Sequence, residues 1–135
     1  MVRSHTKGIY VGDADSKLVE QNKRIGRLVK KIEAKAKAKK HGFARLYGQV
    51  TKEYFGGMAR HFRTLLPLLK KGARCAYIVG DQASYFQTRI STAKILSEIA
   101  EQLGFEVEPP RVWRRRLVSS TQQHLSEHFL LLRNP

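Results

Sequence analysis

The sequence predicts an α/β fold in which long basic helices precede a small sheet. Three observations lead to this prediction. Apolar residues recur at steps of three, four and seven over 17–40 and over 47–71, which is the period of a helix. The continuous apolar run Cys75-Ala-Tyr-Ile-Val79 has the length and composition of a buried strand. A third helical pattern over 91–103 separates that run from later extended segments, so strand, helix and strand alternate.

The first helical pattern carries most of the positive charge. Acidic residues at 13 and 15 suit the positive end of a helix dipole. Between Lys17 and Arg45 there are eleven Lys or Arg and two Glu, a local net charge of +9 out of +15. We therefore treat 16–45 as a basic helical segment, with a solvated helix face as the alternative interpretation. Its candidate nucleic-acid contacts are Lys23, Arg24, Arg27, Lys30 and Lys31.

The second helical pattern is expected to run over 47–71 and to end at Lys70-Lys71-Gly72. Pro67 is expected to kink its last turns or to force a short break before them, because proline cannot donate the helical hydrogen bond. Gly56-Gly57 is expected to weaken it locally. The strand at Cys75–Val79 is expected to be central and parallel, since an uninterrupted apolar run suits burial on both faces. Further strands are expected at Phe105–Glu108, Val112–Val118 and His128–Leu132, with a polar turn over 119–125.

Length and composition limit the class of protein. A chain of 135 residues suits one domain over 1–135. The net charge of +15 attracts polyanions, so nucleic acid is the expected partner, with DNA and RNA both open. Cys75 is the single cysteine, which excludes an internal disulfide and favours a reducing, cytoplasmic compartment. No window approaches the roughly 18 apolar residues of a membrane span, so no membrane partner is expected.

The sequence contains no pattern for a self-sufficient active site. The histidines lack metal-ligand spacing, so no metal site is expected. Glu108-Pro109-Pro110-Arg111 follows a strand but lacks an aromatic residue, and a rigid corner is the ordinary interpretation. The alternation of side chains along a strand places Arg114 and Arg116 on one side and Arg115 on the other. Arg114 and Arg116 are further candidate nucleic-acid contacts, and Trp113 beside them either stacks on a base or packs in the core.

The order and spacing of the later segments resemble a known family. The segments concerned are Leu68–Gly72, Ala76–Asp81, Ile90–Thr92 with the helix Ile95–Ala100, Leu103–Phe105, Val112–Leu117 and Ser126–Leu131. Together they resemble the C-terminal half of a class I S-adenosylmethionine-dependent methyltransferase, most closely the DNA methylases that modify adenine N6 or cytosine N4. Arg3–Thr6 with Tyr10–Asp15 is similar to the stretch that follows the catalytic motif in some of these enzymes. The resemblance covers about residues 3 to 132.

The resemblance implies a partial Rossmann-like methyltransferase sheet, strands five to seven with flanking helices. In the family the antiparallel seventh strand lies beside the fifth. Residues 75–80 would be the fifth strand, 105–108 with 112–118 the sixth region and 128–132 the seventh. The implied activity is site-specific methyl transfer from S-adenosylmethionine to an exocyclic base amine of DNA. Asp81, Gln82 and Ser84, at a strand end, would edge the substrate pocket.

Two signatures of this family are absent from the sequence: the glycine-rich Phe-x-Gly-x-Gly turn and the Asp/Asn/Ser-Pro-Pro-aromatic clamp that holds a flipped base. We therefore expect no catalytic or cofactor-binding residue here, and S-adenosylmethionine is expected to bind the complete enzyme but not this chain alone. The expected partner is an N-terminal methyltransferase half that carries both motifs. The alternatives are a small basic RNA- or ribosome-associated binding protein, and a methyltransferase fold acting on RNA or a small molecule. An open sheet edge favours the split enzyme, and a fully covered sheet favours an independent module.

Overall fold

The computed structural model describes residues 2–38, 42–119 and 122–135. It divides the chain into two compact units, Met1–His61 and Phe62–Pro135. The boundary between the units falls inside the second long helix. Helices and strands alternate in the second unit, so the expected α/β class is confirmed. The expectation of a single domain over 1–135 stays a prediction.

The first unit is helical. Its two long helices are α1 (Lys23–Lys37) and α2 (Tyr47–Leu65), and short 3-10 turns lie at Thr6–Gly8, Asp15–Val19 and Gly42–Leu46. Helix α1 begins later than the apolar pattern predicts, because the Asn22 side chain caps it by accepting from the backbone N–H groups of Arg24 and Ile25, each at 3.0 Å. Leu18, one of the apolar residues in the helical pattern over 17–40, therefore lies in the 3-10 turn before α1 and is 40% exposed.

A network of polar and close contacts holds the 3-10 turn at Asp15–Val19 against α2. The backbone N–H of Ser16 donates to the buried Glu53 carboxylate at 3.1 Å, and Gln49 Nε2 donates to its other oxygen at 2.7 Å. Arg60 forms an ion pair with Asp15. Gly56 lies directly against the Asp15 backbone, where a side chain would have no room. The glycine expected to weaken α2 is thus the position that lets the turn approach it.

The second unit contains a four-stranded sheet and one long helix. The helix predicted to continue to residue 71 ends at Leu65, and Pro67 lies in the 3-10 turn Leu66–Leu68 that follows. The next elements are β1 (Arg74–Gly80), α3 (Thr92–Gln102), β2 (Glu106–Val107), β3 (Arg111–Val118) and β4 (Gln123–Arg133). Strand β4 begins five residues before the predicted His128. The polar turn predicted over 119–125 is therefore wrong for 123–125, and residues 120 and 121 lie outside the described part of the chain.

Strand β4 is the centre of the sheet. Strand β1 pairs with one edge of β4, from Arg74 opposite Arg133 to Gly80 opposite Glu127. The other edge of β4 pairs with β2 and then with β3. All these pairings are antiparallel, so the prediction that the Cys75–Val79 strand is central and parallel is wrong. An apolar run shows that a strand suits burial, but it does not show which neighbours the strand has.

One face of the sheet is covered within the second unit. Tyr77 of β1 lies opposite Leu130 of β4, and the Phe62 ring packs edge-to-face against Tyr77 at 5.5 Å and against Phe105 at 6.0 Å. Burial of the Tyr77 hydroxyl raises its pKa above the ordinary value. Helix α3 packs on the same core through Ile95, Leu96 and Ile99, as its periodicity predicts.

The opposite face of the sheet is largely exposed, although Leu125 of β4, which also lies on this face, is buried. Side chains alternate along β1, so Ala76 and Ile78 lie on this face, and Ile78 is 56% exposed. The expectation that β1 is buried on both faces is therefore also wrong. None of the helices in the described ranges is long and apolar enough to cross a bilayer.

Candidate nucleic-acid interface

Helix α1 presents a row of cations to solvent. Ile25, Val29 and Ile32 are buried, so residues on the opposite side of the helix must point outward. We define the helix surface by the exposed basic residues on that side: Lys23, Arg27, Lys30, Lys31 and Lys37. Among the described residues none of these five forms an ion pair. At 15 residues the helix is about 22 Å long, so the row can follow several successive phosphates.

Four of the five basic residues predicted on this helix belong to the helix surface. The exception is Arg24, which is half-buried beside the capped end of the helix. Lys37 was missed by the sequence analysis, because the stretch from Lys35 onward has no apolar face from which its direction could be deduced. Lys39 and Lys40 lie outside the described residues.

A cleft of about 270 Å³ lies beside α1, and Lys30 of the helix surface is one of its lining residues. Its wall contains the apolar side chains Ile25 and Val29 and five charged side chains, Lys17, Lys30, Lys52, Glu20 and Glu33. The two carboxylates offset most of the positive charge in the cleft. The basic residues of the helix surface form no ion pair in the described part of the chain, so the helix surface is the candidate phosphate-binding region.

The second unit carries a further cation group on β3. The register places Arg114 opposite Glu127 and Arg116 opposite Leu125, on one face, and Arg115 opposite Ser126 on the other. This confirms the prediction that the three arginines cannot all point the same way. Glu127 forms ion pairs with both arginines on its face. Arg114 Nε lies 2.5 Å from Glu127 Oε2, and Arg116 Nε lies 3.5 Å from Glu127 Oε1. The hydrogen bond from Arg114 holds the pKa of Glu127 below its ordinary value and raises that of Arg114.

The residues predicted to edge a substrate pocket do not converge. Asp81 is buried just after β1, where its backbone N–H donates to Ser126 O at 2.9 Å. Gln82 exchanges backbone hydrogen bonds with Ile90, and Ser84 is exposed. The substrate-pocket role of these three residues stays a prediction.

Asp81 has neighbours that the sequence did not reveal. Its Oδ2 lies 3.4 Å from Arg89 Nη2, and its Oδ1 lies 3.8 Å from His128 Nδ1. Both Oδ1 and Nδ1 are buried, and neither has a hydrogen-bond partner in the described part of the chain. The contact arises because His128 stands opposite Val79 in the register, and strand pairing of this kind is not readable from the sequence.

Comparisons with known proteins add no relative to this description. No protein-family model, curated protein or solved structure matches the chain. The fold and the candidate interface together define an α/β protein with two cationic surfaces, one on a helix and one on a sheet.

Proposed function

We propose that this chain is the C-terminal part of an S-adenosylmethionine-dependent DNA methyltransferase that modifies an exocyclic base amine. The observation that supports the proposal best is the strand order. Strand β4 runs antiparallel between β1 on one side and β2 and β3 on the other. Strands β1 and β3 therefore run parallel to each other, with α3 in the connection between them. The resemblance implies an antiparallel seventh strand beside the fifth, and β4 has this relation to β1.

The free edge of β1 supports a split enzyme. Asp81 N–H donates to Ser126 O, and Asn134 N–H donates to Ala73 O, which fixes the odd-numbered residues of this segment as those that bond to β4. In an antiparallel pair the alternate residues direct their backbone groups away from the partner. The backbone groups of Ala76 and Ile78 thus point to an edge that pairs with no other described strand. An open edge of this kind accepts a strand from another polypeptide, and it counts against a closed, independent RNA-binding module.

The sequence signatures of cofactor and base binding are absent from this chain. The sequence lacks the glycine turn that would let backbone approach S-adenosylmethionine, and it lacks the Pro-Pro-aromatic clamp for the target base. No step of methyl transfer is therefore assigned to this chain. When bound to the partner half, the cofactor would supply the electrophilic methyl group.

The helix surface gives this chain a role in the complete enzyme. Its five exposed cations suit the sequence-independent part of DNA binding, in which each phosphate contact releases condensed counterions. Five contacts predict a slope of about −4.5 for log affinity against log salt on duplex DNA, from a slope of roughly −0.9 per contact.

The experiment compares the chain alone with the chain co-purified with the polypeptide encoded immediately upstream. Calorimetry with S-adenosylmethionine and transfer of labelled methyl to duplex DNA are measured on both samples. We expect neither binding nor transfer by the chain alone, and both in the complex. Tight cofactor binding or methyl transfer by the chain alone would overturn the assignment to a partner half, and an inactive complex would overturn the methyltransferase assignment.

A further inference from the structure

We infer that the β3 half of the open sheet face binds single-stranded nucleic acid, with a base stacked on Trp113 and phosphates held by Arg114 and Arg116. This inference goes beyond methyl transfer. It rests on the side chains of β3 and β4 and not on the missing cofactor motifs, so the two proposals can fail separately.

An irregularity in β3 places Trp113 on the open face. The register with β4 shifts between Val112 and Arg114, which leaves Trp113 as the extra residue of a bulge. A bulge turns a side chain away from strict alternation. The Trp113 ring accordingly packs edge-to-face on Phe129 at 4.7 Å, and the neighbouring Arg114 contacts Glu127. Because Phe129 and Glu127 are two residues apart on β4, Trp113 and Arg114 share one face.

The Trp113 ring packs against a neighbouring ring and is still accessible to solvent. Phe129 braces one edge of the indole ring, and the residue is nevertheless 54% exposed. A rigid, accessible aromatic ring on a sheet is the platform on which unpaired bases stack in single-strand binding proteins. The interior of a duplex offers no free base face, so this geometry favours a single strand.

Arginines surround the ring on the same face. Arg111 stands opposite Phe129, Arg114 opposite Glu127 and Arg116 opposite Leu125. The three arginines face two carboxylates, Glu108 and Glu127, so a positive charge remains on this face. Ion pairs of exposed arginines contribute little stability, so they hold the guanidinium groups only weakly. The positive charge therefore lies within reach of the backbone of a strand stacked on Trp113.

The test uses the fact that Trp113 is the single tryptophan of the chain. Oligothymidine of about twelve nucleotides, a length within the range of single-strand binding sites, is titrated into the full chain while tryptophan fluorescence is followed. We expect saturable quenching by the single strand and little change with a duplex of the same length. Anisotropy of a labelled oligonucleotide measures affinity for the variants.

Trp113→Ala is expected to weaken single-strand binding about 5- to 150-fold, the measured range for loss of one stacked base. Trp113→Phe keeps an aromatic ring and is expected to retain most of the affinity, and it serves as the second variant if the alanine substitution disturbs the fold. Arg116→Gln is expected to weaken binding and to flatten its salt dependence. Arg115→Gln is the matched control, because it removes the same charge from the other face of the same strand.

Three results would overturn the inference. One is saturable binding of the single strand without any change in Trp113 fluorescence. Another is equal losses in Arg115→Gln and Arg116→Gln, which would show that only net charge matters. The third is protection of Trp113 by the upstream polypeptide in the purified complex, which would make this face a protein interface.

Discussion

Replacement of Gly56 by alanine tests whether close approach of two backbone segments holds the first unit together. In most helix interiors this exchange stabilises a protein by up to about 1 kcal/mol, because glycine has the greater conformational freedom. At position 56 the added methyl group would overlap the carbonyl of Asp15 and would lie 2.8 Å from Ser16 N. Both neighbours are backbone atoms, which cannot rotate aside.

The expected loss of stability is estimated from the contacts that the added methyl group would disturb. Forcing a methyl group into a filled site costs about 1–3 kcal/mol. Displacing the turn also breaks the hydrogen bond from Ser16 N–H to the buried Glu53 carboxylate, which adds about 1–3 kcal/mol. After subtraction of about 1 kcal/mol for the gain in helix propensity, Gly56→Ala is expected to lower the free energy of unfolding by roughly 1–5 kcal/mol.

Gly26→Ala is the matched control. Gly26 is also inside a helix, α1, but an added methyl group there meets no atom within 4 Å. It is expected to raise stability by up to about 1 kcal/mol. Urea denaturation followed by circular dichroism measures both variants. If Gly56→Ala were as stable as Gly26→Ala, the close contact between Gly56 and Asp15 would be refuted.

Three further predictions concern single side chains. Asn22→Ala removes the cap of α1 and is expected to lower stability by about 1 kcal/mol in urea denaturation, whereas Asn22→Ser should retain most of it. Gln87→Gly should raise stability by about 0.5–1 kcal/mol, because Gln87 holds a left-handed φ of 57°; a loss would contradict that backbone conformation. The Tyr10 N–H and the Arg3 side chain hold the pKa of Asp13 below its ordinary value. Its contribution is therefore present above about pH 4 and lost as pH falls through the folded pKa, so Asp13→Asn should flatten the acid limb of a stability–pH curve.

The sequence predicted which segments form helices and strands better than it predicted which strands pair with each other. Helix α3, the break at Pro67 and the strands near Cys75 and Val112 were located from apolar period and from proline chemistry. The start of α1 was not, because the apolar pattern continues through the 3-10 turn before the Asn22 cap. Strand pairing was not predictable either, since contacts such as that between Asp81 and His128 depend on register across about fifty residues.

The sequence predicted the helix surface of the candidate interface but not the position of Trp113, because only the helix has a regular apolar pattern. The direction of a helical cation follows from the apolar stripe on the same helix, which located four residues of the helix surface. The direction of Trp113 depends on a bulge, and strict alternation cannot reveal one. Functional side chains that depend on irregular backbone therefore appear only in the folded chain.

The two halves of the open sheet face differ in chemistry, and this difference relates the two proposals. On the β1 side the exposed residues Ala76 and Ile78 are uncharged and stand next to an unpaired strand edge, which suits contact with another polypeptide. On the β3 side Trp113 stands among arginines, which suits nucleic acid. The apolar sequence of β1 favours burial on both faces, but this chain covers only one of them. A strand that contacts a second polypeptide through its other face would have such a sequence. For the split enzyme proposed above, we therefore expect the second polypeptide to extend the sheet from β1 and to leave the β3 side open to nucleic acid.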